Sequence, residues 1–220
     1  ARHFVQIAVV AVTLKNLGVF CRENMQLEGF WYYLFLGVFE AAVIHYAAAK
    51  IFGPLLFGRG WCGYACWTAM VLDFLPYKQP QGPRRKRLGL LRYVTFFLSL
   101  ALVSGLFLAK PAHLEQVRFW LFLLGNALYY AAGIGLAFAC RDNRAFCKYL
   151  CPVTVFLKPM SYFSLLRVRC DESRCIHCGK CLRVCPMDVE VNRDSRRRKN
   201  ATECILCYAC TEACPTKALR

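Results

Sequence analysis

The sequence predicts a membrane domain of four helices, followed by a small C-terminal domain held together by its cysteines. Of the 220 residues, 58% are hydrophobic and the mean hydropathy is positive, which is too apolar for an ordinary soluble domain. Four apolar runs approach the ~20 residues that a spanning helix needs. Fifteen cysteines are present, and eight of them form two copies of the pattern C-x2-C-x2-C-x3-C-P near the C-terminus.

The four predicted spans are residues 4–20, 30–52, 90–109 and 117–139. The first is the weakest, because Lys15 and Asn16 lie near its end, although a lysine there can extend to the headgroups. Aromatic residues at the ends of the runs, such as Trp31 and Trp120, are typical of membrane interfaces. We therefore expect a membrane protein and not four buried helices of a soluble one.

Basic residues predict how the chain is oriented. The net charge is +16, and the positive residues cluster in the loop between spans two and three and in the segment that follows span four. The positive-inside rule then places both termini and everything from Arg141 onward on the cytoplasmic side of a bacterial or archaeal inner membrane. The exposed basic loop at residues 79–87 would lie at the acidic leaflet surface, either in a specific lipid or protein contact or as a solvated charge run with no partner. This distribution favours membrane orientation, and no nucleic-acid partner is expected.

The chain divides into three parts, with boundaries after residues 151 and 168. Residues 1–151 form the predicted membrane domain with its loops. Residues 152–168 are apolar but interrupted by proline, so we expect an interfacial connector and not a span. Residues 169–220 lack the apolar content to build a core of this size without staples. The cysteines are the predicted staples.

The spacing of those cysteines predicts two 4Fe–4S clusters. A C-x2-C-x2-C loop supplies three ligands to one cluster, and in the two-cluster arrangement the last cysteine of each run serves the other cluster. Structural zinc usually takes separated C-x2-C pairs, and disulfides do not suit a reducing compartment. The first predicted ligand set is Cys175, Cys178, Cys181 and Cys214, and the second is Cys204, Cys207, Cys210 and Cys185.

These residues resemble the bacterial dicluster ferredoxin domain, which implies an α+β fold for residues 169–220. The basic linker at residues 193–200 is either a solvated loop or a docking surface for an acidic electron partner. His177, inside the first run, is expected to be exposed and not a ligand. Cys170 fits neither ligand set.

A second cysteine motif occurs twice in the membrane domain. "RGWCGYACW" begins at Arg59 and "RAFCKYLCP" begins at Arg144, and each follows the cytoplasmic end of an inward-running span. This internal repeat would bring Cys62, Cys66, Cys147 and Cys151 together at one site. A third iron–sulfur cluster, a copper ion and a pair of redox-active dithiols all suit four thiols. Plain packing of small buried cysteines is the remaining alternative.

Four spans, two C-x3-C loops and a dicluster tail together resemble the NapH-type membrane ferredoxins. The resemblance covers nearly the whole chain. It implies a quinol-dehydrogenase membrane component, in a wider family that includes a nitrous-oxide-reductase regulator and a cytochrome-oxidase assembly protein with cupric reductase activity. Those families usually have C-x3-C-P in both loops, whereas here Trp67 follows Cys66 and only the second loop has proline, at Pro152.

Two ionisable residues within the second span are candidates for a quinone site. Glu40 and His45 would accept the protons that quinol releases on oxidation, although packing residues are the alternative. The leading prediction is an electron-transfer subunit of a larger oxidoreductase complex, passing electrons between the quinone pool and a redox partner, with no catalytic residue of its own. The alternatives are a copper reductase or assembly factor that uses the C-x3-C cysteines, and a pure relay without a quinone site.

Overall fold

We obtained a computed structural model of the chain, which describes residues 2–13, 24, 26–39, 41–109 and 114–220. Helices are the regular elements of these parts. They form a bundle of apolar helices, a set of short helices that hold the C-x3-C motifs, and a C-terminal segment built mostly of turns.

Two of the predicted spans are long helices. Helix α7 will denote Leu91–Ala109, which follows a 3-10 turn at Lys86–Leu90, and α8 will denote Leu114–Cys140. The apolar helical stretches are 24 residues at Lys86–Ala109 and 25 residues at Gln116–Cys140. Both are long and apolar enough to cross a membrane, which requires about 20 helical residues.

The first two predicted spans differ from expectation. Helix α1 is Arg2–Thr13, and the remainder of the predicted run at residues 4–20 lies outside the described residues. The unbroken helix predicted over residues 30–52 is wrong, because α2 (Leu27–Leu36) ends at Gly37. Gly37 adopts a left-handed φ of 67°, a conformation that glycine takes without a Cβ penalty, and its N–H caps the carbonyl of Leu34.

Beyond this break the second run resumes as α3 (Ala41–Tyr46), a π-helical stretch at Ala47–Phe52 and α4 (Gly53–Phe57). The described residues therefore contain two helices of spanning length, and the four-span domain stays a prediction. Helix α2 packs against α7. Between them lies an aromatic core in which Phe30 stacks on Tyr46 and Trp31 meets Phe96 edge-on.

The remaining helices are short and lie around the cysteines. The first C-x3-C motif spans α5 (Gly60–Tyr64) and α6 (Trp67–Leu72), and the second is on α9 (Ala145–Tyr149). Helix α10 (Thr154–Tyr162) follows, and the C-terminal segment contains α11 (Lys180–Arg183), a 3-10 turn at Ala201–Glu203 and α12 (Ala209–Glu212). One buried core includes cysteines from both C-x3-C motifs and from the C-terminal runs, so these parts pack as a unit.

The α+β fold expected for residues 169–220 is not observed, because the described residues contain no named strand. The two ends of this segment meet in a single antiparallel bridge between Cys170 and Leu219, flanked by backbone hydrogen bonds between Arg169 and Arg220. The cysteine runs use most of the intervening chain in turns and short helices. Only the two ends are therefore left to pair.

The predicted connector at residues 152–168 is helical in its first half, as α10, and irregular afterwards, with a turn and bends. Leu157 is fully buried, whereas Phe163 and Leu165 are 64% and 66% exposed. The backbone N–H groups of Leu165 and Leu166 donate to the carbonyls of Leu55 and Leu56 at the end of α4. The connector thus leaves apolar side chains exposed beside the apolar helices, and its interfacial position stays a prediction.

Candidate iron–sulfur centres

The first predicted ligand set surrounds one cavity. Cys175, Cys178 and Cys181 line it together with Cys214 of the other run. Cys178 and the neighbouring Ile176 are exposed, so this centre would lie at the surface. His177 is also exposed, with its Nδ1 4.0 Å from the Cys175 sulfur.

The second predicted ligand set also converges. Cys185 and Cys210 belong to one buried core, and Cys204 and Cys207 pack against it. Helix α11, which carries Cys181 of the first set, packs against α12, which carries Cys210, so the two centres would be neighbours. Cys185 and Cys210 are buried, in contrast to the exposed Cys178.

The two runs have the same backbone conformation. Left-handed φ values flank the second cysteine of each run, at His177 (51°) and Gly179 (72°) in the first run and at Leu206 (51°) and Tyr208 (59°) in the second. Three of these four residues are not glycine, and such positions are uncommon. Successive N–H groups in turns of this kind form concave sites that bind anions and iron–sulfur clusters.

A further pair of left-handed residues extends the repeat. Asp188 and Lys217 each lie three residues after the fourth cysteine of their run, at φ values of 53° and 50°. The backbone N–H of Val189 also donates to the sulfur of Cys185 at 3.4 Å. The two halves of the C-terminal segment therefore have left-handed residues at equivalent positions.

Burial strongly affects the thiols of the second set. It raises the pKa of Cys185 to about 11 and that of Cys210 to about 12, and the charges of the other cysteines in the set add to the shift. Cluster and metal ligation require thiolates, so a positive centre must compensate for burial. The iron of a cluster would supply that charge.

The four C-x3-C cysteines form a third group. Cys62, Cys66, Cys147 and Cys151 line one cavity of about 750 Å³, its open mouth included. The pKa of Cys147 is raised to about 12, because burial and the charges of Cys151 and Cys66 outweigh the opposing charges of Arg144 and Arg59. The repeat predicted from sequence thus brings its cysteines to one place.

An arginine from each repeat reaches across to the other repeat. Arg59 donates from Nη2 to the carbonyl of Cys147 at 3.3 Å, and Arg144 donates from Nη1 to the carbonyl of Cys62 at 3.2 Å. Both arginines are buried, and each lies three residues before the first cysteine of its own motif. The crossed contacts fix the two motifs against each other.

Buried ion pairs connect the C-x3-C motifs to the C-terminal segment. Arg59 binds Glu203 at 2.6 Å, and Lys148 binds Asp188 at 2.6 Å as well as Asp142 at 2.7 Å. No sequence pattern predicts a role for Glu203 or Asp188, because their partners are distant in sequence. The local signal is that each residue lies beside a cysteine run.

The basic loop and the basic linker each make a structural contact through one of their arginines. In the loop at residues 79–87, Arg85, Lys86 and Arg87 are exposed, but Arg84 binds Glu203 at 2.9 Å. In the linker at residues 193–200, Arg198 donates to the carbonyl of Val168 at 2.9 Å. Each segment therefore has a structural contact in addition to its exposed charges.

Of the two quinone candidates, Glu40 and His45, the structure describes His45. Glu40 lies outside the described residues. His45 is on α3, meets the ring of Trp61 edge-on at 5.4 Å between centroids, and lines the cavity of the C-x3-C cysteines. The structure thus places His45 at the same cavity as these cysteines, which the sequence did not predict.

No group of three or more His, Cys, Asp or Glu side chains within the described residues is arranged to hold a single metal ion. A 4Fe–4S cluster is a larger object than one ion and binds four thiolates around it. The observation thus concerns mononuclear sites.

Comparison with known proteins supports the iron–sulfur interpretation. A 4Fe–4S dicluster domain matches residues 167–215, and a 4Fe–4S binding domain matches residues 42–90 and 124–169. The first match covers both C-terminal cysteine runs. The second match covers both C-x3-C motifs. No solved structure matches the chain significantly.

Three relatives illustrate the similarity. The methylamine utilization ferredoxin-type protein MauN of Paracoccus denitrificans is 28% identical over 62% of this chain and 51% of its own length. The putative electron transport protein YccM of Escherichia coli is 26% identical over 64% of this chain and 38% of its own length. An uncharacterised protein of Methanocaldococcus jannaschii is 24% identical over 71% of this chain and 74% of its own.

The chain thus spans about half of MauN and less of YccM. These two relatives are named as ferredoxin-type and electron transport proteins. The chain contains 4Fe–4S ferredoxin-type domains and is a distant homologue of MauN and YccM.

Proposed function

We propose that the chain is a membrane-bound electron-transfer subunit that passes electrons between the quinone pool and a redox partner through two 4Fe–4S clusters. Cys175, Cys178, Cys181 and Cys214 would bind one cluster, and Cys204, Cys207, Cys210 and Cys185 the other. The observation that supports this most is the shared cavity of the first set, which includes the fourth cysteine of the opposite run. The left-handed residues at equivalent positions of both runs support it further.

The test of the two clusters is iron and sulfide content, with EPR, on anaerobically purified protein. We expect at least about eight iron atoms per chain, because each cubane contains four. Cys214→Ser should remove the signal of the first cluster and Cys185→Ser that of the second, according to the crossed ligation. If Cys214→Ser instead removed the second cluster, the ligand assignment would be wrong.

The membrane role is supported by α7 and α8, which are long and apolar enough to span. The quinone role is supported more narrowly, by His45 on α3 and the adjoining cavity. Adding a quinol to oxidised protein should bleach the visible absorbance of the clusters, and His45→Gln should slow that reduction. Dithionite should still reduce the variant fully, which separates quinol access from cluster loss.

Copper reduction is the second candidate function, favoured by the four thiols that face one cavity. Soft thiolate ligands suit Cu(I) as well as iron–sulfur clusters. The dithionite-reduced protein should then reduce added Cu(II), and Cys62→Ser should abolish this while both C-terminal clusters remain. A protein that quinol does not reduce and that Cu(II) does not oxidise would be a relay that needs its partner subunits.

A further inference from the structure

The C-x3-C motifs supply a complete set of four buried or half-buried thiols, two from each half of an internal repeat. Cys62 is on α5 and Cys66 precedes α6, whereas Cys147 is on α9 and Cys151 follows it. All four line the same cavity. Neither of the two C-terminal clusters uses any of these residues. The fourfold set matches the ligand requirement of a cubane cluster.

Two buried arginines lie beside the same cysteines. Arg59 and Arg144 are 0% and 1% exposed, and each is paired with a carboxylate, Glu203 at 2.6 Å and Asp73 at 2.5 Å, which offsets the cost of burial. Each arginine donates to the backbone of a cysteine in the opposite repeat, and Arg144 Nη1 also lies 4.0 Å from the sulfur of Cys147. Cations at this distance favour thiolates and a negatively charged cluster.

We propose that Cys62, Cys66, Cys147 and Cys151 ligate a third 4Fe–4S cluster, with Arg59 and Arg144 as the residues that position its two ligand loops. The inference rests on the proposed function, since it takes the chain to be loaded with clusters in the cell. The match of a 4Fe–4S binding domain to residues 42–90 and 124–169 agrees with it, because those ranges contain all four cysteines.

The third cluster would exchange electrons with the Cys204 set. Gly63, between Cys62 and Cys66, lies so close to this run that a Cβ there would be 2.4 Å from the carbonyl oxygen of Ile205. Tyr64 donates from its hydroxyl to the carbonyl of Leu206 at 2.9 Å. Ile205 and Leu206 are the residues between Cys204 and Cys207. The loop of one cluster therefore contacts the loop of the other directly.

This contact indicates the order in which electrons would pass through the three centres. If clusters are bound by the C-x3-C cysteines and by the Cys204 set, one electron would pass from the reduced cluster to the oxidised one across these loops, with no proton or ligand transferred. The Cys204 set in turn adjoins the Cys175 set, since α12, which carries Cys210, packs against α11, which carries Cys181. The route ends at the exposed Cys178. Electrons would thus run between a buried centre beside α3 and a surface centre.

The iron content of wild-type holoprotein tests the inference. We expect about twelve iron atoms per chain, and about eight in a Cys62→Ser/Cys147→Ser double variant, because one cubane of four irons is lost. Cys140→Ser, at the end of α8 and outside the cavity, is the matched control and should retain about twelve. EPR of the dithionite-reduced protein should show that the double variant keeps both C-terminal clusters.

The outcomes separate this inference from the proposed function. Wild-type protein with about eight irons, all assigned to the C-terminal runs, would overturn the third cluster and leave the proposed function intact. Iron-free protein would overturn both. Arg144→Lys tests the positioning role: it should shift the reduction midpoint of the third cluster while the other two midpoints stay unchanged. If it left all three midpoints unchanged, Arg144 would have no such role.

Discussion

At the scale of single residues, Glu203 is the main contact between the C-terminal segment and the rest of the protein. Its side chain is 1% exposed, and it binds Arg59 at 2.6 Å, Arg84 at 2.9 Å, Arg92 at 3.2 Å and Lys158 at 3.4 Å. Burial alone would raise the pKa of Glu203, but these cations outweigh it and hold the pKa at about 2. Glu203 precedes Cys204, so the carboxylate fixes the start of the second cysteine run.

We expect Glu203→Gln to destabilise the holoprotein, because it leaves buried cations without a counter-charge. Removing one partner of a buried ion pair typically costs about 3–5 kcal/mol. Thermal unfolding of the detergent-solubilised protein, followed with iron retention, measures the effect. Glu212→Gln on the exposed side of α12 is the control and should change stability by less than about 0.5 kcal/mol. Equal effects of the two substitutions would contradict the role of Glu203.

Gly63 offers a second prediction at this scale. Its Cβ position is 2.4 Å from the carbonyl oxygen of Ile205, closer than any real Cβ contact, so Gly63→Ala must push the two loops apart. Overpacking of this kind costs about 1–3 kcal/mol. Gly135→Ala on α8, where nothing lies within 4 Å, is the matched control. The measurement is again thermal unfolding, and an unchanged midpoint for Gly63→Ala would argue against the close approach.

At the scale of elements, the two C-x3-C motifs are a repeat whose halves make different contacts. Where the first has Gly63, the second has Lys148, which is fully buried between Asp142 and Asp188. At this position the first motif therefore approaches the C-terminal segment by backbone contact and the second by an ion pair. Together the backbone contact and the ion pair form a clamp: one holds the second cysteine run and the other holds the residues that follow the first run.

Lys148→Met should release one side of this clamp. The substitution leaves the 4% exposed Asp142 without its cation, and the expected cost is about 3–5 kcal/mol. Limited proteolysis should then cut faster in residues 152–168, where the chain passes from α9 to the C-terminal segment. Lys180→Met, at an exposed position, should leave the cleavage rate unchanged. Protection equal to wild type in Lys148→Met would show that the ion pair is dispensable.

The same elements show what a sequence can predict. α7 and α8 follow from uninterrupted apolar runs, and the convergence of the C-x3-C motifs was suggested by their repetition. The break at Gly37 was missed because glycine is tolerated within apolar helices, so hydropathy alone does not reveal a left-handed cap. The Glu203 cluster is not predictable from the sequence, because Arg59 and Glu203 are 144 residues apart and the motif that begins at Arg59 does not indicate its acidic partner.

At the scale of the whole molecule, charge and apolar surface are separated. The exposed residues Arg85, Lys86 and Arg87 lie at the end of α7 that also holds the Glu203 contacts, whereas α7 and α8 beyond it expose apolar side chains such as Phe97, Leu108 and Leu128. Excess lysine and arginine in short loops favours the cytoplasmic side. The proposed clusters would then all be cytoplasmic.

Reporter fusions test this orientation. A fluorescent protein that matures only in the cytoplasm, fused after Arg220, should be bright, and alkaline phosphatase at the same place should be inactive, because the positive-inside rule keeps that end in the cytoplasm. Phosphatase inserted after Gly82 should also be inactive. An active phosphatase at either position would reverse the proposed orientation.

The uneven exposure of the cysteines has a practical consequence for handling the protein. Dioxygen and peroxide would meet the Cys175 set first, because Cys178 is open to solvent while Cys185 and Cys210 are covered. A sample prepared in air would therefore lose its outermost centre early and keep the inner ones. Such a sample would remain coloured and yet be unable to pass its electrons outward.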